Sequence, residues 1–121
     1  MVNELGKITT LTGNSGTKYE FNLWTFDEFD DIKNTFTGEG LYLFTKRYLT
    51  DKGYMHKYIY LGETDNYYTR YNNHHKEECI IEHESNCIGF YAMSSSTEEE
   101  RKATEDDLLS AYDFPCNDVN N

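Results

Sequence analysis

Two short runs of apolar and aromatic residues constrain the fold of this chain more than any other feature of its sequence. They occupy residues 41–44 (Leu-Tyr-Leu-Phe) and residues 58–61 (Tyr-Ile-Tyr-Leu). Uninterrupted runs of this length are typical of strands that are buried on both faces of a sheet. A turn signal at residues 51–53 lies between them, so we expect the strands to pair antiparallel across a long loop at residues 47–56.

Turn residues and periodicity predict further strands and a short helix. Residues 7–24 predict a β-hairpin around the turn at residues 13–16, because apolar and polar residues alternate in its second arm. Residues 87–93 are apolar enough for a third central strand. The acidic residues 27–36, with aromatic side chains at helical spacing, predict a short surface helix.

Capping signals predict two more helices. A cap at residues 65–66 begins a helix that runs through His74. Residues 98–112 are the best helix candidate in the chain. Ser96 and Glu99 have the spacing of a capping box, and the acidic first turn suits the positive end of the helix dipole.

The composition is typical of one folded domain. The chain has 121 residues and a mass of 14.2 kDa, so we expect a single domain spanning residues 1–121. Aromatic residues make up 16% of it, which argues against disorder because each can bury a large apolar area. The sequence has no apolar run long enough to span a membrane and no signal-peptide segment at its start. We therefore expect a cytoplasmic protein without a membrane partner.

The charge of the chain bears on its partners. The net charge is −11, which opposes non-specific binding to nucleic acid because phosphate contacts come largely from Lys and Arg. The charge is unevenly distributed, however. Residues 40–75 hold five basic residues against three acidic ones. The centre of the chain is therefore neutral to basic inside an acidic envelope.

The three cysteines, Cys79, Cys87 and Cys116, have no spacing typical of a disulfide framework. In an unexported protein we expect them to be free thiols. A zinc site made of these cysteines and His83 is the alternative, although zinc sites usually contain a closer local pair of cysteines.

Glu105 is the most unusual residue of the predicted last helix. It shares one helix face with Arg101, Leu108 and Tyr112, and the apolar members of that face belong to the core. An unpaired carboxylate there would cost several kcal/mol, so a cation must compensate it. Two readings stay open, a structural ion pair with Arg101 and a metal-binding or catalytic carboxylate.

Several motifs occur in the order in which the GIY-YIG endonucleases carry theirs. Residues 40–42 (Gly-Leu-Tyr) and 60–62 (Tyr-Leu-Gly) resemble the two half-motifs of that family. Residues 62–66, followed by Arg70 and His74, resemble the segment after the second half-motif and the arginine-bearing helix. Residues 101–117 resemble the closing motif, a helix with a metal-binding Glu and a loop with an Asn. The resemblance covers about two-thirds of the chain.

The resemblance implies an α+β fold with a central antiparallel three-stranded sheet flanked by helices. In that arrangement residues 39–117 form a GIY-YIG-like nuclease core. Residues 1–38 are an added N-terminal hairpin and short helix, and residues 118–121 are a tail. The stretch between the half-motifs is longer than the usual loop of the family, which implies an extended hairpin tip.

The activity that the resemblance implies is metal-dependent endonuclease cleavage of phosphodiester bonds in DNA. Glu105 would hold one Mg²⁺ (or Mn²⁺), and Asn117 would brace the site through hydrogen bonds. Because the chain is acidic, a protein partner would supply some of the DNA contacts.

The same resemblance assigns four more catalytic residues. Tyr42, with Tyr60, would orient or deprotonate the attacking water, and Arg70 would neutralise charge on the phosphorus. His74 would accept or relay the proton. His83 lies where some relatives carry a second functional histidine, or is an ordinary loop histidine.

Taken singly, these side chains also fit ordinary roles, namely core tyrosines, a surface arginine and solvated histidines. Two other kinds of function therefore remain. The chain is either a binding module that keeps the fold and acts through a protein partner, or a structural protein stabilised by zinc.

Overall fold

The structure is a computed structural model that describes residues 7–72 and 76–117, without the side chains of residues 70–72. The strands are β1 (Ile8–Thr12), β2 (Lys18–Thr25), β3 (Gly40–Thr50), β4 (Gly53–Thr64) and β5 (Cys87–Ala92). The helices are α1 (Phe26–Ile32), α2 (Tyr67–Asn72), α3 (Glu77–Glu82) and α4 (Glu98–Leu109), and a 3-10 turn (Lys33–Thr35) follows α1.

The β3–β4 hairpin continues beyond the two apolar runs, as the extended hairpin tip implied by the resemblance requires. The strands pair antiparallel from Gly40 opposite Thr64 to Thr50 opposite Gly53, with one irregularity after Phe44. The expected long loop is therefore wrong. Strand pairing continues to a tight turn, because the two arms keep a matching register beyond the apolar runs.

The five strands form one antiparallel sheet in the order β1-β2-β5-β3-β4. The α+β class is confirmed. The expected sheet of three strands corresponds to the β5-β3-β4 part of this larger sheet. The N-terminal hairpin extends it, because β2 pairs with the free edge of β5 from Asn22 to Thr25.

Two apolar cores cover the two faces of the sheet. We call the first the aromatic face; it is covered by α1, α2 and α3, and its buried members are Phe29, Tyr42, Phe44, Ile59, Tyr60, Tyr67, Ile80, Ile88, Phe90 and Cys116. We call the second the α4 face; its buried members are Leu11, Tyr19, Phe21, Leu41, Leu43, Leu61, Leu108 and Phe114. Period-2 alternation separates the two sets along β3. On β4 the irregularity opposite Phe44 and Thr45 interrupts the alternation, so the consecutive residues Ile59 and Tyr60 both belong to the aromatic face.

The cap of α4 differs by one residue from expectation, whereas the cap of α2 at Asn66 is confirmed. Thr97, rather than Ser96, caps α4, and its capping box is completed by Glu100 rather than Glu99. At α2, the Asn66 side chain accepts a hydrogen bond from the backbone N–H of Thr69 at 3.1 Å. Helix α3 was not predicted from the sequence, because six residues give too few periodic positions to reveal a helix.

The expectation of three free thiols is wrong. Cys79 of α3 and Cys116, which follows α4, form a disulfide across 37 residues. They meet because the chain after α4 crosses the edge of β4 from the α4 face to the aromatic face. Cys87 is a buried free thiol, and burial raises its pKa to about 11.

Within the described ranges, 7–72 and 76–117, every helix is too short or too polar to cross a membrane.

Candidate active site

The two half-motifs lie side by side in the sheet. Tyr42 is opposite Gly62 in the β3–β4 register, and Gly40 is opposite Thr64. The rings of Tyr42 and Tyr60 lie 5.8 Å apart between centroids, inclined by 34°. Both tyrosines are buried in the aromatic face, with 3% of Tyr42 and 8% of Tyr60 exposed. The motifs therefore form one local structure.

The edge of β4 is covered by the segment that follows α4. β4 is the last strand of the sheet, so one side of its backbone faces away from β3. The Cys116 N–H donates to the Ile59 carbonyl at 3.0 Å. Asn117 accepts from the Leu61 N–H at 2.9 Å and donates through Nδ2 to the Leu61 carbonyl at 2.7 Å. The Asn117 amide thus makes the two backbone hydrogen bonds that a neighbouring strand would make with Leu61.

Glu105 lies farther along the same edge. Because Leu61 turns its N–H away from β3, Glu63, two residues on, turns its N–H the same way. The Glu105 carboxyl is near enough to that Glu63 N–H for a hydrogen bond. Successive outward N–H groups on a strand lie about 7 Å apart, so Glu105 and Asn117 are neighbours along β4.

The Glu105 carboxyl has an unusual protonation equilibrium. Burial, first of all, and the nearby carboxylates of Glu63 and Asp106 together raise its pKa from 4.5 to about 7. The positive charge of Lys102 and the Glu63 N–H act in the opposite direction. Two acidic side chains, Glu63 and Glu105, therefore share one partly buried place at the edge of the sheet.

Arg101 neutralises other carboxylates close by. Its side chain is buried, and its Nε donates to Glu63 Oε2 at 3.0 Å. Its Nη1 lies 3.3 Å from Glu39 Oε2 and donates to the Ser96 carbonyl at 2.9 Å. The ion pairs that the structure shows for Arg101 are thus with Glu63 and Glu39. The Arg101–Glu105 pair considered from the sequence is not among them.

The predicted site residues separate into groups. Glu105 and Asn117 lie together at the edge of β4, and Tyr42 and Tyr60 pack together on the aromatic face. Helix α4 packs on the opposite face through Arg101 and Leu108, so the tyrosine rings and the helix that carries Glu105 lie on different faces of the sheet.

The remaining predicted residues are only partly described. Arg70 lies in α2, directly after β4, but its side chain is outside the described residues. His74 is outside them entirely. His83 ends α3 and lies beside the Cys79–Cys116 disulfide.

Sequence reasoning missed Glu63 and Glu39 as members of the Glu105 environment. The signal for Glu63 was present, because it lies two positions after Leu61 and so shares its face of β4. Glu39 gave no comparable signal, since it precedes β3 and reaches Arg101 only through the tertiary fold.

The donor chemistry at this place fits a hard divalent cation. Glu63 and Glu105 offer carboxylate oxygens, which Mg²⁺ and Mn²⁺ prefer, and a cation would relieve the repulsion that raises the Glu105 pKa. Comparisons with protein-family models, with curated proteins and with solved structures found no match for the chain.

Proposed function

We propose that this protein is a divalent-metal-dependent endonuclease that hydrolyses phosphodiester bonds in DNA. The observation that carries the proposal is the position of Glu105, a carboxyl group with a pKa of about 7 beside Glu63 and next to Asn117. These groups border the strand that contains the Tyr-Leu-Gly half-motif. The order of the motifs along the chain agrees with the same family of enzymes.

Glu105, assisted by Glu63, is the group that would hold the ion. A bound Mg²⁺ or Mn²⁺ supplies Lewis-acid stabilisation of the departing oxygen. Arg101 keeps Glu63 in place by its 3.0 Å contact, and Asn117 fixes the backbone of β4 beside it. The chain thus holds both acidic side chains on rigid elements, as a metal site requires.

The other assigned roles belong to groups around β4. Tyr60 and Tyr42 would orient the attacking water, Arg70 would neutralise the phosphate, and His74 would take the proton. β4 is the terminal strand, and the segment after α4 crosses its edge from the α4 face to the aromatic face. A phosphate bound at this edge would lie between the groups of the two faces.

The outer part of the β3–β4 hairpin is the part of the chain best suited to contact DNA. β5 pairs with β3 only as far as Thr45, so residues 46–57 extend beyond it. This arm has four basic residues and one acidic residue in a chain with a net charge of −11. Arg47 also lies over the ring of Tyr54, 4.7 Å from its centroid. Basic and aromatic groups together suit a nucleic-acid backbone and its bases.

The test is a cleavage assay on supercoiled plasmid and branched DNA with Mg²⁺ or Mn²⁺. We expect the wild type to cleave, and Glu105→Gln to lose about 10²-fold in rate or more. Glu99→Gln, an exposed change on the same helix, should retain the wild-type rate. Equal cleavage by the wild type and Glu105→Gln, or no metal-dependent cleavage by the folded wild type, would reject the proposal.

One observation favours a second function, a catalytically inactive binding module of the same fold that acts through a protein partner. Tyr42 and Tyr60 are buried on the face opposite to α4, as expected of core residues rather than of a shared site. Metal-dependent cleavage by the isolated chain, lost in Glu105→Gln, would exclude this alternative.

A further inference from the structure

Three potential metal ligands converge between α3 and the segment after α4. They are Cys79, His83 and Cys116, and their ligand atoms all lie within 4.8 Å of one another. The two sulfur atoms form a disulfide. The Nδ1 atom of His83 is 3.6 Å from each of them.

These distances are close to those of a tetrahedral zinc site. With Zn–S near 2.3 Å and Zn–N near 2.0–2.1 Å, ligand atoms around a tetrahedral zinc lie about 3.5–3.8 Å apart. The nitrogen of His83 already has this separation from both sulfurs. Only the Sγ–Sγ separation must increase, which follows when the bond between them is reduced. We propose that the reduced protein binds one Zn²⁺ through Cys79, His83 and Cys116.

The hydrogen bonds around His83 allow its Nδ1 atom to leave the Cys79 carbonyl and bind zinc. Its Nδ1 lies 3.0 Å from the Cys79 carbonyl, and that carbonyl also accepts a hydrogen bond from the His83 backbone N–H at 3.0 Å. When Nδ1 binds zinc, the ring proton is on Nε2. The Cys79 carbonyl then still has its backbone partner, so zinc binding leaves no buried acceptor unpaired.

The change from disulfide to zinc site balances with a dithiol as reductant. The dithiol gives two electrons and two protons, the Sγ–Sγ bond breaks, Cys79 and Cys116 become thiols, and the dithiol becomes its own disulfide. Zinc then displaces both thiol protons to solvent as it forms two Zn–S bonds. The disulfide and the zinc site are therefore alternative states of one cluster.

Burial and charge at this cluster favour a zinc ion that has three protein ligands and one coordination position open to solvent. Cys116 is buried in the aromatic face, whereas Cys79 and His83 are partly exposed, so solvent can supply the fourth ligand. Three of the six residues of α3 are Glu, which favours the approach of a cation. Cys87 is not part of the group and is a natural control.

The experiment titrates the full chain, reduced with a phosphine and kept free of oxygen, with Co²⁺ and then with Zn²⁺. We expect one equivalent of Co²⁺ to give thiolate-to-cobalt absorption in the near ultraviolet, and Zn²⁺ to displace it. The signal should be lost in Cys79→Ser and in Cys116→Ser, weakened in His83→Gln, and unchanged in Cys87→Ser. The oxidised protein should give none.

Alkylation of the wild type provides a second measurement that does not depend on the folding of a variant. With Zn²⁺ bound, iodoacetamide should modify Cys79 and Cys116 much more slowly than in the metal-free reduced protein, as located by mass spectrometry. Unchanged alkylation, or a cobalt signal that survives in Cys79→Ser or appears in the oxidised protein, would overturn the proposal. Neither readout depends on nuclease activity.

Discussion

The ring of Tyr42 fills the space that a side chain at Gly62 would occupy. The two residues are opposite one another on β3 and β4, and a Cβ at position 62 would overlap the Tyr42 ring. Gly40 is enclosed in a similar way, because a Cβ there would meet the Tyr91 carbonyl and the Tyr67 hydroxyl. The glycines of both half-motifs therefore have a structural role, independent of any catalysis.

Gly62→Ala should destabilise the fold. The added methyl group must displace the buried Tyr42 ring, and overpacking of this kind costs about 1–3 kcal/mol. Gly38→Ala is the matched control, because a Cβ at that position meets no atom within 4 Å. Urea denaturation measures both. A cost for Gly62→Ala no greater than that for Gly38→Ala would contradict the packing of Tyr42 on Gly62.

Arg101→Met should strongly destabilise the fold. It leaves the carboxylates of Glu63 and Glu39 without their buried partner, which costs about 2–4 kcal/mol. The neighbouring Lys102→Met removes an exposed pair with Glu98 and a positive charge near Glu105, and should cost about 0.5 kcal/mol or less.

A double-mutant cycle in urea tests the Arg101 interaction directly. Adding Glu63→Gln to Arg101→Met should recover about 1 kcal/mol or more, because the second change removes the unpaired charge. Simple addition of the two effects would show that the Arg101–Glu63 contact contributes nothing to stability.

Glu105→Gln should stabilise the protein at high pH and not at low pH. The folded-state pKa of Glu105 is raised from 4.5 to about 7, so between these values the folded protein holds a proton that the unfolded chain releases. The contribution of Glu105 to stability therefore falls as the pH rises from about 4.5 to 7. Above that pH range the Glu105→Gln variant should be more stable than the wild type by about 1–3 kcal/mol.

The pH dependence can be measured by urea denaturation at pH 4.5 and pH 8 in the presence of a chelator. Glu99→Gln controls for the loss of one carboxylate from the same helix, at an exposed position. If the change in stability between the two pH values is the same for both variants, Glu105 does not have the raised pKa that its surroundings imply.

The sequence predicted the parts of the fold that depend on local patterns. The apolar runs located the pairing of β3 and β4, and the turn at residues 13–16 located the N-terminal hairpin. Residues 47–56 have no apolar periodicity, so the sequence predicts a loop where the structure has paired strands. Strand pairing there depends on the turn and on cross-strand contacts, which a single strand does not encode.

In the candidate site, too, the sequence predicted what depends on local patterns and missed what depends on non-local contacts. Helical periodicity showed that Glu105 belongs to the inner face of α4, because its position relative to Leu108 is local information. Glu63 lies far from Glu105 in the sequence, and Cys79 lies far from Cys116. Only the tertiary fold brings the two members of each pair together. Non-local contacts of this kind could not be derived from spacing.

Asn117→Ala should reduce both stability and, under the proposed function, cleavage. The Asn117 amide makes two hydrogen bonds to the backbone of Leu61, and losing both should cost about 1–3 kcal/mol. Asn86 provides a matched control, because its side chain accepts from the Arg47 N–H at 2.7 Å and donates to the Arg47 carbonyl at 3.0 Å.

Asn86→Ala removes the same pair of contacts from β3, at a more exposed place, and should cost somewhat less stability without affecting cleavage. Denaturation and the plasmid assay, both run well below the melting temperature of each variant, separate the two effects. If Asn86→Ala lowers cleavage as much as Asn117→Ala does, the loss reflects general destabilisation. Asn117 would then have no specific part in a site at the edge of β4.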